Sequence, residues 1–160
     1  MTTRNKILKL PALKRKIADL RKQGKTIAFT NGCFDILHYG HISYLEGASG
    51  KDRILIVGLN SDRSVHSIKG PQRPINNELC RAGVLAAMAC VSFVTIFDED
   101  TPYELIKAIQ PDILIKGADW KEDDIAGADI VKGRGGKVEL IEYVSGLSTT
   151  NIISRIKGGR

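Results

Sequence analysis

Cysteine is scarce in this 160-residue sequence. The three present, Cys33, Cys80 and Cys90, form no Cys-x-x-Cys pair and leave an odd one out, so neither a disulfide framework nor a zinc site can be read from them. A reducing cytoplasm is the default compartment. Long apolar runs are also missing: none approaches the roughly 20 residues needed to cross a bilayer. The first ten residues mix Arg, Lys and Asn with single apolar residues and lack the hydrophobic stretch of a secretory signal. Aromatic residues make up only 6% of the sequence. What remains is an ordinary composition, 42% hydrophobic and 26% charged with 16 glycines, which excludes a disordered or collagen-like chain. The length suits one domain with a real core.

The net charge of +6 would suggest a nucleic-acid surface if it were spread evenly. It is not. Residues 1–25 carry nine basic groups and a single acid, Asp19, a balance of +8, which leaves −2 for the other 135 residues. The basicity therefore belongs to one leading segment, divided here from a domain over 26–160. A solvated face of a first helix explains it; a nucleic-acid or membrane surface and a basic mitochondrial leader are the alternatives.

Apolar residues fall into short unbroken runs separated by amphipathic stretches. Ile27-Ala28-Phe29, Ile54 to Val57, Phe93 to Phe97, Ile113 to Ile115 and Val138 with Leu140-Ile141 have strand length. They do not alternate with polar residues, as expected of strands covered on both faces. Between them, Leu13, Ile17 and Leu20 mark one helix, Ile42, Leu45 and Ala48 a second, and Leu79 to Ala89 a third. Leu105, Ile106 and Ile109 mark another, opened by Thr101-Pro102, and Ile152, Ile153 and Ile156 the last. This alternation predicts an α/β fold: a single Rossmann-like doubly wound domain with a five-stranded parallel sheet flanked by helices. In such sheets ligands bind beyond the carboxyl ends of the strands. The polar segment Lys69-Gly70-Pro71-Gln72-Arg73-Pro74 reads as a loop.

The common nucleotide fingerprints fail. Gly24-Lys25-Thr26 imitates the end of a P-loop, but Asp19 stands where a Gly is required, and Gly133, Gly135 and Gly136 are followed by Val138 where a third dinucleotide-fold glycine belongs. The first strand instead gives way to Thr30-Asn31-Gly32-Cys33-Phe34-Asp35-Ile36-Leu37-His38-Tyr39-Gly40-His41. Two imidazoles three apart at a helix start lie near its free N–H groups and positive dipole end, which suits a polyphosphate; Gly40 lets the backbone approach. A metal pair or two structural histidines are the alternatives, although the H-E-x-x-H layout is absent. Ser148-Thr149-Thr150 open the last helix; they cap it, and they also offer donors to a phosphate.

These segments together resemble the cytidylyltransferase-like nucleotidyltransferase superfamily: Gly32-Cys33-Phe34-Asp35 through His38-Tyr39-Gly40-His41 is similar to its G-x-F-D-x-x-H-x-G-H signature, and Leu147-Ser148-Thr149-Thr150 to its I-S-S/T-T motif. Over residues 26–157 the likeness extends to Leu59-Asn60-Ser61-Asp62, Lys69-Gly70 with Arg73-Pro74, Lys116-Gly117-Ala118-Asp119-Trp120 and Ile125-Ala126-Gly127-Ala128. There the chain resembles D-glycero-β-D-manno-heptose 1-phosphate adenylyltransferases of lipopolysaccharide synthesis, in stand-alone form without a fused sugar-kinase domain. Leu147 replaces the usual Ile. Tyr143 or Val144 stands where glycerol-3-phosphate cytidylyltransferases have an arginine, which counts against that CTP-dependent alternative. A second alternative is a non-catalytic nucleotide- or nucleic-acid-binding module using the basic segment.

The resemblance implies transfer of AMP from ATP to a sugar 1-phosphate, with Mg²⁺ carried by the nucleotide's own phosphates rather than by a protein metal site. It implies a cytoplasmic enzyme of small-molecule substrates with neither membrane nor nucleic-acid partner, in a family where homodimers are common. His38, His41 and Lys69, the last on a mobile loop, are the expected catalytic residues. Asn31, Gly32, Cys33, Phe34, Gly40, Gly117, Ala118, Asp119, Ser148, Thr149 and Thr150 are expected to bind the nucleotide. Asp35 and Arg81 are the expected substrate-binding pair: Asp35 accepts from sugar hydroxyls or orients a cation, with a structural cap as the alternative, and Arg81 contacts a phosphate or forms a structural ion pair. Trp120 packs or stacks nearby.

Overall fold

The structure, a computed structural model, describes residues 2–142, 144 and 146–158. Its centre is a five-stranded, all-parallel sheet of β1 (Thr26–Gly32), β2 (Arg53–Asn60), β3 (Phe93–Phe97), β4 (Ile113–Gly117) and β5 (Lys137–Ile141), in the order β3-β2-β1-β4-β5. All five fall on the apolar segments expected as strands, although β5 is interrupted by Glu139 and only partly buried. Period-two alternation sends their side chains to two separate cores. Ile27, Phe29, Ile56 and Leu114 join one cluster. Ala28, Leu55, Val57, Leu59, Ile113 and Ile115 join the other.

The first core is roofed by α2 (Leu10–Lys22), α6 (Tyr103–Ile109) and α7 (Ala128–Gly133), the second by α3 (Tyr39–Ala48) and α5 (Glu78–Ala87). The remaining helices are α1 (Thr3–Lys6), α4 (Asp62–Lys69) and α8 (Thr149–Gly158). Local chemistry sets their starts. Ser61 Oγ accepts from Ser64 N–H at 3.1 Å to open α4, and Asn77 Oδ1 accepts from Cys80 N–H at 2.9 Å to open α5. Pro102 occupies the cap position of α6, so this helix begins one residue later than Thr101-Pro102 suggests.

The basic leading segment is built into the domain. Leu13, Ile17 and Leu20 of α2, at helical spacing, are 0%, 2% and 9% exposed in the same core as Phe29. Its charges face outward or bind locally: Lys6 Nζ donates to the carbonyls of Met88 (3.0 Å) and Val91 (2.8 Å), and Leu8 N–H donates to Val94 O at 2.9 Å along the outer side of β3. A division at residue 25 therefore cuts through a shared core.

The pairing of the sheet opens it at one place. β1 stays in register with β2 as far as Gly32 opposite Leu59, but pairs with β4 only at Ala28–Ile113 and Phe29–Leu114. Beyond these pairs the two central strands part, at the point where strand order reverses. Tyr44 of α3 braces the split from below: its hydroxyl lies 2.7 Å from Thr30 Oγ1 and donates to Ile115 O at 3.2 Å.

Because Leu13 is part of the central core, Leu13→Ala should cost about 2–5 kcal/mol in urea denaturation, as buried leucine truncations do. A loss under about 0.5 kcal/mol, the range of surface substitutions, would return residues 1–25 to the status of an appendage.

Candidate active site

Above the parted ends of β1 and β4 lies a cleft of about 770 Å³. Its wall brings together residues from both ends of the sequence: Asn31, Gly32, Cys33, Phe34, Asp35, His38, His41, Lys69, Ser148, Thr149 and Thr150. Gly40, Arg81, Gly117, Ala118 and Asp119 are not on that wall.

The chain leaves β1 through a tight turn in which Phe34 adopts φ +44°, a left-handed conformation that is strained for an aromatic residue. It then enters α3 with His38 at the cap position. The rings of His38 and His41 stack with centroids 3.9 Å apart at 29°, and Phe34 lies 5.4 Å from His41. Gly40 serves this stack from behind, since a Cβ there would come within 3.1 Å of His38 Cε1 and Nδ1. Its absent side chain makes room for an imidazole.

Both Nδ1 atoms are buried and meet no hydrogen-bond partner in the protein. Burial lowers the pKa of His38. In His41, burial and then the neighbouring His38 push it down to about 4. Two neutral rings with unused nitrogens therefore sit at the positive end of a helix. Among the described residues no group of three or more His, Cys, Asp or Glu is placed to hold a metal ion.

The second helix start faces the first. Ser148 Oγ caps α8 by accepting from Asn151 N–H at 3.0 Å, and Thr149 Oγ1 donates to Ile36 O at 3.2 Å, tying this corner to the β1–α3 turn. Two helix N-termini thus share one cleft, each with first-turn N–H groups that have no intrahelical partner. Tyr143, one of the two positions compared with the cytidylyltransferase arginine, lies outside the described residues; Val144 is on the cleft wall.

Several expectations need correction. Lys69 is the last residue of α4 rather than part of a loop, and the segment beyond it is fastened. Arg73 Nε donates to Asp35 Oδ2 at 2.6 Å, and Lys157 Nζ to Gln72 Oε1 at 2.8 Å. Asp35 has no side-chain exposure, and its carboxylate also accepts the N–H groups of Ile75 and Asn76 at 2.8–2.9 Å. Burial alone would raise its pKa, but the Asn76 and Ile75 donors and Arg73 outweigh burial and hold it below the usual carboxylate value. It anchors the loop, leaving little acceptor capacity for sugar hydroxyls.

Arg81 is likewise internal. Its side chain is fully buried and donates to Cys33 O at 2.6 Å, Asn76 O at 2.9 Å and Asp62 Oδ1 at 2.8 Å. It holds the β1–α3 turn against the start of α5, which is the structural ion-pair reading of this residue and not the phosphate contact. Trp120 is half-exposed on the cleft wall.

One wall residue carried no role in the sequence reading. Lys116 lies near the end of β4, 8% exposed, with Nζ 2.5 Å from Asn31 Oδ1 across the split. The signal was a single lysine closing the apolar run Ile113-Leu114-Ile115, immediately before a glycine.

Fold and cleft together define a doubly wound α/β domain with a cleft at its switch point. The cytidylyltransferase-like family model matches residues 29–155, and the chain belongs to that family. It is 54% identical over 153 residues to the bifunctional protein HldE of Campylobacter fetus, covering 96% of this chain and 32% of that protein. It is also 54% identical over 136 residues to the bifunctional protein HldE of Syntrophotalea carbinolica, covering 85% of this chain and 28% of that one. The chain thus spans about a third of the length of these curated relatives. The fold is shared with the lipopolysaccharide core biosynthesis protein from Thermoplasma volcanium, with a TM-score of 0.59, 23% identity and coverage of 74% of this chain and 96% of that one. Among the described residues no helix is long and apolar enough to cross a membrane.

The neutral ring of His41 has a sign-defined consequence. Its pKa lies below the unfolded value of 6.5, so its contribution to stability is complete above that pH and is lost as the pH falls toward 4. An NMR titration should give a His41 midpoint near 4, and added pyrophosphate should raise it, because an adjacent anion favours the imidazolium. A midpoint that pyrophosphate does not move would separate this ring from the anion site.

Proposed function

We propose that this chain is an adenylyltransferase that moves AMP from ATP to a sugar 1-phosphate, giving an ADP-sugar and pyrophosphate. D-glycero-β-D-manno-heptose 1-phosphate is the favoured acceptor and ADP-heptose the product. The observation that carries the reading is the pair of stacked, unpartnered imidazoles at the start of α3, facing the start of α8 across one cleft. Family membership and the likeness to the HldE proteins support it.

An oxygen of the sugar phosphate attacks the α-phosphorus of ATP; a P–O bond forms there as the bond to the bridging α–β oxygen breaks, and pyrophosphate departs with the electron pair. The nucleophile is already anionic, so neither a general base nor a covalent enzyme intermediate is required. The problem is electrostatic: two anions must meet in line while charge grows on the α-phosphate and the leaving group. His41, with His38 stacked on it, donates to the α-phosphate region. The α8 start, with Ser148, Thr149 and Thr150, receives the β- and γ-phosphates. Lys69 reaches the same phosphates from the end of α4. Asn31, Gly32, Cys33 and Phe34 line the nucleotide, and Gly117, Ala118 and Asp119 receive its ribose and base from just beyond the wall. Mg²⁺ enters with the nucleotide, as the ion that accompanies its triphosphate, and no step is assigned to it. This reading fits work in the cytoplasm on soluble substrates, in a monomer or a homodimer.

His41→Ala should lower turnover by about 10²–10³, the loss of one transition-state donor, with an unchanged circular-dichroism spectrum. A nearly fully active variant would remove His41 from the chemistry. Pyrophosphate release should be measured with ATP and CTP against a panel holding heptose 1-phosphate, glycerol 3-phosphate and common hexose 1-phosphates. ATP with heptose 1-phosphate should react fastest; preference for CTP with glycerol 3-phosphate would overturn the assignment.

A further inference from the structure

The floor of the cleft holds a buried ammonium that, among the described residues, forms no ion pair. Lys116 is more than nine-tenths buried, and its Nζ reaches two groups: Asn31 Oδ1 at 2.5 Å and the face of Trp120, 5.2 Å from the ring centroid. One is a neutral amide and the other a neutral ring. The ion pairs among the described residues join other side chains, and none includes Lys116. A buried ammonium is tolerated when a carboxylate, a metal-free anion or several acceptors satisfy it; a lone amide does not. The contrast with Arg81 is instructive, since that still more deeply buried cation has a carboxylate and two carbonyls.

Position gives the unbalanced charge a purpose. Lys116 stands at the carboxyl end of β4 and Asn31 at that of β1, on either side of the split between the central strands. Its wall is the one that also carries His38 and His41. We propose that Lys116 is a substrate-contacting cation, whose ammonium binds a phosphoryl oxygen at the floor of the cleft, held in aim by Asn31 and Trp120. The shared chemistry is a phosphate monoester or diester oxygen, supplied by the α-phosphate of the nucleotide or by the phosphate of the acceptor. Identifying these two sources rests on the transferase reading; the anion site itself does not. Without that anion the lysine is a liability: burial outweighs the nearby Asp119 and lowers its pKa to about 8.

The test compares Lys116→Met, which keeps volume and removes charge, with Lys116→Arg, which keeps charge. Ligand-free Lys116→Met should melt at or above the wild-type temperature, because the uncompensated charge is gone; a clear drop would make the lysine a structural tie to Asn31 and overturn the proposal. By calorimetry, Lys116→Met should bind AMP at least tenfold more weakly than wild type while adenosine binding is unchanged, which assigns the contact to the nucleotide phosphate. If AMP binding is unchanged but the KM for heptose 1-phosphate rises at least tenfold, the contact belongs to the acceptor. Lys116→Arg should keep more of the affected affinity than Lys116→Met. Equal impairment of both, or wild-type values for both ligands in Lys116→Met, overturns the proposal. A wild-type protein that releases no pyrophosphate from ATP would sink the transferase reading alone, since the AMP and adenosine comparison needs no turnover.

Discussion

The molecule depends on the parting of its two central strands. β1 and β4 are held together by only two registered pairs, Ala28–Ile113 and Phe29–Leu114, while β1 and β2 stay zipped to the end. The candidate site is arranged around the gap this leaves. Asn31 and Lys116 face each other across it, Tyr44 braces it from beneath, and α3 and α8 point their N-termini over it. Releasing strand pairing at one junction opens a crevice at the switch point, where open α/β sheets bind their ligands.

Charge in the cleft is sorted by whether it is answered. The buried ions that shape the backbone, Asp35 with Arg73 and Arg81 with Asp62, are matched by partners and backbone groups, and they join the β1–α3 turn to the segment after α4. Three residues of the cleft wall are different: the buried Nδ1 atoms of His38 and His41 have no hydrogen-bond partner, and the Lys116 ammonium has an amide and a ring but no ion pair. Satisfied polar networks fix a structure, whereas unsatisfied ones mark where something else must come.

This division explains what could be read from residues alone. Four of the five strands were legible because each holds an unbroken apolar run, which burial on both faces demands; β5, broken by Glu139 and only partly covered, was legible from Val138 and Leu140-Ile141. The imidazole pair was legible because its i, i+3 spacing at a strand-to-helix junction is local. Asp35 and Arg81 misled because their partners lie about 20 to 40 positions or more away, at Arg73, Asn76, Asp62 and Cys33; a carboxylate committed to a distant loop looks the same in sequence as one awaiting a sugar. Lys69 was taken for loop because Gly70 and Pro71 follow it, although α4 runs one residue into that polar stretch. The leading basic segment seemed separate on charge, whereas its three apolar residues at helical spacing decided its fate.

The two rims of the sheet are finished differently. Ile7 bridges Val94 and Leu8 donates to the same carbonyl, so the outer side of β3 is occupied by the chain's own backbone. β5 at the opposite rim carries Lys137 and Glu139, ion-paired at 2.8 Å, with Arg53 on the same carboxylate. Edge strands dressed in charge resist docking by foreign strands. The sheet is thereby protected from growing into a ribbon of stacked molecules, by self-plugging on one side and electrostatic fencing on the other.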